Sequence, residues 1–173
     1  MRKTETIKTE HQAIHEGRAF SFSKDFTIAS GGTASIIIKT PAASTSEFVH
    51  LKRKNLSAGA ELFNISFYED ITATYGTSTL IAHNRNRNSS SETGVIIYDS
   101  PSSIVRTNAT LLINRLASGG DDNKGSAGDE TINTAEWILK PASYYEIKID
   151  NDGDGEAVCT LNGFFYTTNI LNF

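Results

Sequence analysis

His11 and His15 stand four residues apart, and Glu16 follows them. On a helix this spacing would place both imidazoles on one face, as in zinc sites of the His-Glu-x-x-His type. Here the glutamate follows the second histidine instead of lying between the two, and the sequence marks no third ligand. We therefore expect a short turn or arm whose histidines form local hydrogen bonds, with no bound metal or other cofactor.

A second ligand-like pattern is DNDGDG at residues 150–155. It has the carboxylates of positions one, three and five of a helix–loop–helix calcium site, and the glycine of position six. Position twelve, where a glutamate should clamp the ion, is Leu161. The flanking residues alternate like strands, and Asp and Gly suit a tight turn. We expect residues 150–156 to form the turn of an antiparallel hairpin, with a weak, exposed cation site as the alternative.

The sequence shows only weak catalytic patterns, and we expect that the protein is not an enzyme. The sequence has neither a Gly-x-Ser-x-Gly elbow nor a GxxxxGK[ST] phosphate loop, and His50 and His83 lie in or beside predicted strands without a marked partner. The single cysteine, Cys159, lies in a predicted strand, where a small buried apolar residue is expected rather than a nucleophile. A glycosidase needs a carboxylate pair about 5–10 Å apart, but Glu136 and Glu146 both alternate outward as solvent-facing residues.

Two polar loops are candidate contact surfaces. Residues 84–93 (NRNRNSSSET) contain two arginines, which could contact an acidic protein surface, a glycan or a phosphate. Residues 118–134 (SGGDDNKGSAGDETINT) form the second loop. Simple solvation of both loops is the alternative. The partner-binding candidates of the whole chain are His11, His15, Glu16, Arg85, Arg87, Asp121, Asp122 and Lys124.

An aromatic cluster offers a further alternative. Trp137, Tyr144 and Tyr145 are close in sequence and could stack on sugars if exposed. Trp137 alternates with Leu139, however, and aromatic residues in strands are enriched for packing alone. We expect these residues to contribute to the core.

Composition limits the class of protein and its partners. The 173 residues suit one domain, and 38% hydrophobic with 21% charged residues indicates a globular chain. A formal net charge of −4 argues against nucleic acid as the main partner, since phosphate binding needs a basic surface. No apolar run is long enough to span a bilayer, and no apolar segment follows the charged start as in a secretory signal. We expect neither a nucleic-acid nor a membrane partner.

Short alternating runs separated by turn signals organise most of the chain. Tyr145, Ile147 and Ile149 alternate with charged residues, which is the period of a half-buried strand. About ten such strands predict an all-β, antiparallel, jelly-roll-like β-sandwich with long polar loops. Residues 109–118 fit a strand better than a helix. We expect an extended polar N-terminal arm at residues 1–16 and one β-sandwich domain at residues 17–173.

Three landmarks line up along the chain: EHQAIHEGRAF (10–20), HNRNRNSS (83–90) and GDETINTAEWILKPASYYEIKIDN (128–151). Their order resembles small structural proteins of tailed bacteriophages, of the head-decoration or capsid cement type, with a jelly-roll-like sandwich. The resemblance covers almost the whole chain. It implies a non-enzymatic virion protein made in the bacterial host cytoplasm and located on the phage head surface.

The implied partners are the major capsid protein, whose shell the protein would bind and stabilise, and further copies of this chain in a dimer or trimer. The alternative is a tail-fibre or baseplate-associated module. Such a module would recognise a host glycan or a partner virion protein through loops 84–93 and 118–134.

Overall fold

The structure, a computed structural model, describes residues 9–42, 47–58, 61–118 and 136–169. Within these ranges the chain forms one helix, α1 (Thr9–His15), and thirteen strands. The strands are β1 (Ala19–Ile28), β2 (Thr33–Lys39), β3 (Glu47–Ala58), β4 (Leu62–Glu69), β5 (Thr72–Thr74), β6 (Thr79–Leu80), β7 (His83–Asn84), β8 (Ile96–Tyr98), β9 (Ser102–Val105), β10 (Thr110–Ser118), β11 (Trp137–Leu139), β12 (Tyr144–Asn151) and β13 (Ala157–Asn169). In this part of the chain, no helix is long and apolar enough to cross a membrane.

Two antiparallel sheets contain all but two of these strands. The first sheet has the order β11-β3-β13-β1-β7, and the second has the order β10-β4-β12-β2-β8-β6. The two remaining strands, β5 and β9, pair with each other as a short ribbon. The eight strands β1 to β4 and β10 to β13 place four strands in each sheet. The chain changes sheet at most connections between these eight strands, as in a jelly roll. The predicted all-β sandwich is confirmed, and residues 110–118 are a strand, as expected.

The core lies between the two sheets. Along β12, the side chains of Tyr145, Ile147 and Ile149 are fully buried, as their alternation predicts. Each such side chain contributes about 1.5–3 kcal/mol by leaving water. The buried members of this cluster are Phe20, Phe22, Ile28, Ile36, Ile38, Val49, Leu51, Phe63, Ile65, Phe67, Val95, Ile97, Leu139, Tyr145, Ile147, Ile149, Ala157, Cys159, Leu161 and Phe165.

The predicted hairpin between β12 and β13 is wrong. β12 pairs with β2 and β4, whereas β13 pairs with β1 and β3 in the other sheet. Residues 152–156 therefore carry the chain across from one sheet to the other. The predicted turn is present, but Asp and Gly serve a hairpin and a crossing equally well, so composition alone did not distinguish them.

Asn151 fixes this crossing from inside. It is fully buried. Its Nδ2 donates hydrogen bonds to the carbonyl oxygens of Ile28 (2.9 Å) and Gly155 (2.8 Å), and its Oδ1 accepts one from the Gly153 amide (3.0 Å). One side chain thus bonds to three backbone groups, at the end of β1 and within the crossing.

We predict that Asn151→Ala lowers the free energy of unfolding by about 2–4 kcal/mol, because buried donors and acceptors lose their partners. Urea denaturation measures the change. The matched control is Asn162→Ala on β13, where the side chain is exposed and little change is expected. Equal effects of the two substitutions would contradict the assignment.

The burial of Glu146 differs from the expectation that this side chain faces solvent. The side chain points away from the core, as its alternation indicated, but it is fully buried instead of facing solvent. Arg106, which directly follows β9, lies over it and donates from Nε (2.6 Å) and Nη2 (2.5 Å) to the two carboxylate oxygens. Ser35 Oγ donates a further hydrogen bond of 2.6 Å. The hydrogen bonds that Arg106 donates to Glu146 raise the pKa of Arg106, and they join the β9 region to the outer face of the second sheet.

We predict that Arg106→Ala destabilises the fold by about 3–5 kcal/mol, because it leaves a buried carboxylate without its cation. Thermal or urea unfolding measures the loss. The control is Lys140→Ala, which removes an ion pair with Glu69 (2.6 Å) at an exposed position. Exposed pairs contribute little, so a comparable loss in the control would contradict the burial argument.

The predicted extended arm also needs correction. Residues 9–15 are helical, whereas residues 1–8 lie outside the described part of the chain. The helix ends in a Schellman motif: the amides of Gly17 and Arg18 donate to the carbonyl oxygens of Ile14 (3.0 Å) and Ala13 (2.8 Å). Gly17 has a φ of +71°, which a glycine adopts without strain. The glycine was a visible stop signal, but a helix of seven residues gives too few positions for a periodic pattern.

Candidate interaction face

Five of the eight predicted partner-binding residues come together on the outer face of the first sheet. His11, His15 and Glu16 lie on or just after α1, and Arg85 and Arg87 lie in the loop after β7. Two asparagines join the segments: Asn84 Nδ2 donates to the Gly17 carbonyl oxygen (2.8 Å), and Asn86 Nδ2 donates to that of His15 (2.9 Å). We call α1, residues 16–18 and loop 84–93 the helix face. Asp121, Asp122 and Lys124 lie outside the described residues.

A small apolar cluster holds the helix on the sheet. Ala13 and Ile14 pack against Ala19, Phe164 and Tyr166, apart from the main core. A seven-residue helix is not stable alone in water. The helix therefore depends on this packing and on the contacts made by its charged residues.

Glu10 is the central charge of the docked helix. Its carboxylate pairs with Lys52 Nζ and lies 3.8 Å from Arg85 Nη1. The Arg85 guanidinium also lies over the Phe164 ring, 4.7 Å from its centroid. These contacts link α1, β3, β13 and the loop after β7 in one layer.

Glu16 is occupied by its neighbours. Arg18 donates to one carboxylate oxygen and Gln12 Nε2 donates to the other at 2.8 Å. The Arg18 hydrogen bond is the main cause of a lowered Glu16 pKa. The carboxylate is therefore charged at neutral pH, but it is already paired within the helix face.

The helix face carries exposed arginines on an acidic chain. Its charged side chains are Arg18, Arg85 and Arg87 against Glu10, Glu16 and Glu92, so the face itself has no net charge. Arg87 contacts the Asn84 carbonyl oxygen at 3.4 Å and has no carboxylate partner among the described residues. The whole chain has a formal net charge of −4, whereas this face has as many arginines as glutamates.

Sequence reasoning missed a buried polar network beside the helix. His50 Nδ1 lies 2.7 Å from Glu136 Oε1, and its Nε2 lies 2.8 Å from Thr168 Oγ1. Tyr166 stacks on the imidazole and donates to the same Glu136 oxygen at 2.6 Å. His50 and Tyr166 pair directly across β3 and β13, but nothing in the sequence marks that register.

The order hydroxyl, imidazole, carboxylate resembles a catalytic triad. Thr168 is only 9% exposed and lies inside β13, and its hydroxyl already bonds to His50. The geometry therefore suits a polar layer between strands rather than a presented nucleophile. Glu136 is exposed, as expected, and its carboxylate is also tied to this layer through His50 and Tyr166.

The aromatic cluster does not form one exposed platform. Tyr145 is fully buried and its hydroxyl donates to Glu69 at 2.8 Å. Trp137 packs edge-on against Phe67 at the core, with ring centroids 6.4 Å apart. Tyr144 instead stacks on Tyr75 at 4.4 Å on the outer face of the second sheet. The three side chains therefore lie in different surroundings: Tyr145 and Trp137 contribute to the core, as expected, whereas Tyr144 lies outside it.

Two further expectations concern β13. Cys159 is buried, which raises the pKa of its thiol to about 11, so it is the inert apolar residue expected. Leu161, at the twelfth position of the calcium-like pattern, is fully buried in the core.

Comparisons of the chain with protein-family models, with curated proteins and with solved structures found no match. A proposal for function therefore depends on the fold and on the residues of the helix face. Together they define an antiparallel β-sandwich with a helix and an arginine-bearing loop docked on the outer face of one sheet.

The network around Glu136 gives a pH prediction. Burial raises the Glu136 pKa, but hydrogen bonds from Tyr166 and His50 more than offset this, so the pKa lies below its ordinary value of 4.5. A carboxyl with a lowered folded-state pKa stabilises the fold above its ordinary pKa and loses that contribution as pH falls through the folded pKa. We expect the Glu136→Gln variant to be less stable than the parent protein at pH 6. The difference in stability between the two proteins should shrink below about pH 4. Melting temperatures of both proteins from pH 6 to pH 3 measure this, and a constant difference would contradict it.

Proposed function

We propose that this protein is a non-enzymatic virion structural protein of a tailed phage, and that it decorates and stabilises the head shell. The observation that carries the proposal is the helix face: a helix and a loop with two exposed arginines, Arg85 and Arg87, held together on a rigid sandwich. Double-sheet jelly rolls occur in viral capsid and lectin domains. That association supports the proposal but does not identify the site, because one fold hosts many functions.

The proposed partner surface is an acidic region of the major capsid protein. Complementary charge steers association and selects the partner more than it adds raw affinity. Weak single contacts suffice on a shell, because many copies bind and can contact each other, as a dimer or trimer would. Binding to one state of the shell stabilises that state by mass action. The protein would be made in the bacterial host cytoplasm and carried on the phage head surface.

Immunolabelling of purified parent virions tests the location. Gold particles over the head, viewed by electron microscopy, would support the decoration proposal. Label confined to the tail or fibres would overturn it and favour the alternative, a tail-fibre or baseplate module. In that case a glycan array with the intact protein would ask whether the partner is a host glycan or another virion protein.

A charge reversal tests the surface. We predict that Arg87→Glu weakens binding to purified expanded shells at least about tenfold at 50 mM salt, because the exposed cation meets an acidic partner. Arg87→Lys, the matched control, retains the charge and should retain most of the binding. Co-sedimentation with shells measures both variants.

The salt dependence completes this test. Parent binding should weaken from 50 to 300 mM salt, whereas the Arg87→Glu variant should show a smaller slope. Equal binding of the parent, the lysine variant and the glutamate variant would show that the helix face is not the contact surface. Because Arg87 is exposed and outside the sandwich core, loss of folding would not explain a selective loss of binding.

A further inference from the structure

The helix α1 places the side chains of His11 and His15 next to each other. Their ring centroids lie 4.7 Å apart and the rings are within 7° of parallel. Both residues are exposed, whereas Ala13 on the opposite side of the helix is buried. The spacing of four residues thus places both imidazoles on the solvent side of α1, one turn apart.

The backbone under these two rings is held in place. The Arg18 amide donates to the Ala13 carbonyl oxygen (2.8 Å), and Asn86 Nδ2 donates to that of His15 (2.9 Å). Neither imidazole has a hydrogen-bonding partner among the described residues. Rotation about χ2 is broad for a histidine, so the rings can turn their nitrogens toward a shared point without moving the helix.

We propose that His11 and His15 form a chelating two-nitrogen site for a borderline divalent transition metal of the Zn²⁺, Ni²⁺ or Cu²⁺ class. Neutral imidazole is a preferred ligand of these ions. Zinc–nitrogen bonds of about 2.0–2.1 Å in tetrahedral geometry need ligand nitrogens about 3.4 Å apart. A modest tilt of two rings that already lie face to face supplies that separation.

The site is open on the outside. Among the described residues, no group of three or more His, Cys, Asp or Glu side chains converges on one point. The two acids adjacent in sequence are occupied: Glu10 pairs with Lys52, and Glu16 accepts from Arg18 and Gln12. Two coordination positions are therefore left for water or for an exogenous ligand. A metal bridging successive turns also stabilises α1, because it cross-links the helix in its folded form.

Zinc chloride titrated into the full chain tests the proposal. We expect saturable binding at pH 7.5 by isothermal titration calorimetry and a rise in melting temperature that grows with zinc concentration. His11→Gln and His15→Gln should each weaken binding at least tenfold, because one imidazole alone gives no chelate. The matched control is His83→Gln, which removes an exposed histidine of β7 and should leave binding unchanged.

Two further measurements distinguish chelation by this histidine pair from nonspecific metal binding. Binding should fall below pH 6, because protonated imidazole cannot coordinate a metal. Calcium should not replace zinc, since hard cations prefer oxygen ligands. Zinc binding that survives both His11→Gln and His15→Gln, or the absence of zinc binding by the parent chain up to 1 mM, would overturn the proposal. All variants change exposed side chains, and circular dichroism at 25 °C confirms that each is folded.

Discussion

Both ends of the sandwich depend on buried side chains that satisfy the backbone where the chain changes sheet. At one end, the Asn151 side chain bonds to the crossing from β12 to β13. The main-chain amide of Asn151 donates to the Gly32 carbonyl oxygen (2.9 Å), and its carbonyl oxygen accepts from the Gly31 amide (3.0 Å), both in the β1–β2 turn. At the other end, buried Thr40 donates to the Lys140 carbonyl oxygen at 2.7 Å. Crossings leave peptide groups outside the ladders, and buried peptide groups must be paired. These contacts therefore hold the two sheets in the register that buries one core.

The outer faces of the two sheets are covered in different ways. On the first sheet, a short helix rests on three apolar side chains and is tied down by charges, so its outer surface stays polar and available. On the second sheet, the Glu146–Arg106 pair draws the β9 region over the centre. A buried ion pair contributes little net stability, but breaking it is costly. The first arrangement suits contact with another molecule, and the second fixes a covering segment of the chain.

The sequence was informative where a local rule decides the structure and uninformative where contacts are distant in sequence. Alternation predicted the inner face of β12 and the strand at residues 110–118, since burial on one side of a sheet imposes a period of two. It did not predict that Glu146 is buried, because its cover comes from Arg106, forty residues away. It also gave His11, His15, Arg85 and Arg87 as candidates without showing that they share a face. That proximity, like the network around His50, follows from the pairing of β1 with β7 and of β3 with β13.

The order of strands within the sheets has a consequence for how the protein is made. β12 lies between β4 and β2, and β13 lies between β3 and β1. Until residues 144–169 leave the ribosome, each sheet consists of separate parts with unpaired inner edges. The main core then lacks the side chains that β12 and β13 contribute. The nascent chain must therefore remain unfolded, or be protected from association through those edges, until synthesis of this stretch is finished. Because α1 packs against Phe164 and Tyr166 of β13, the helix face cannot form before β13 is made.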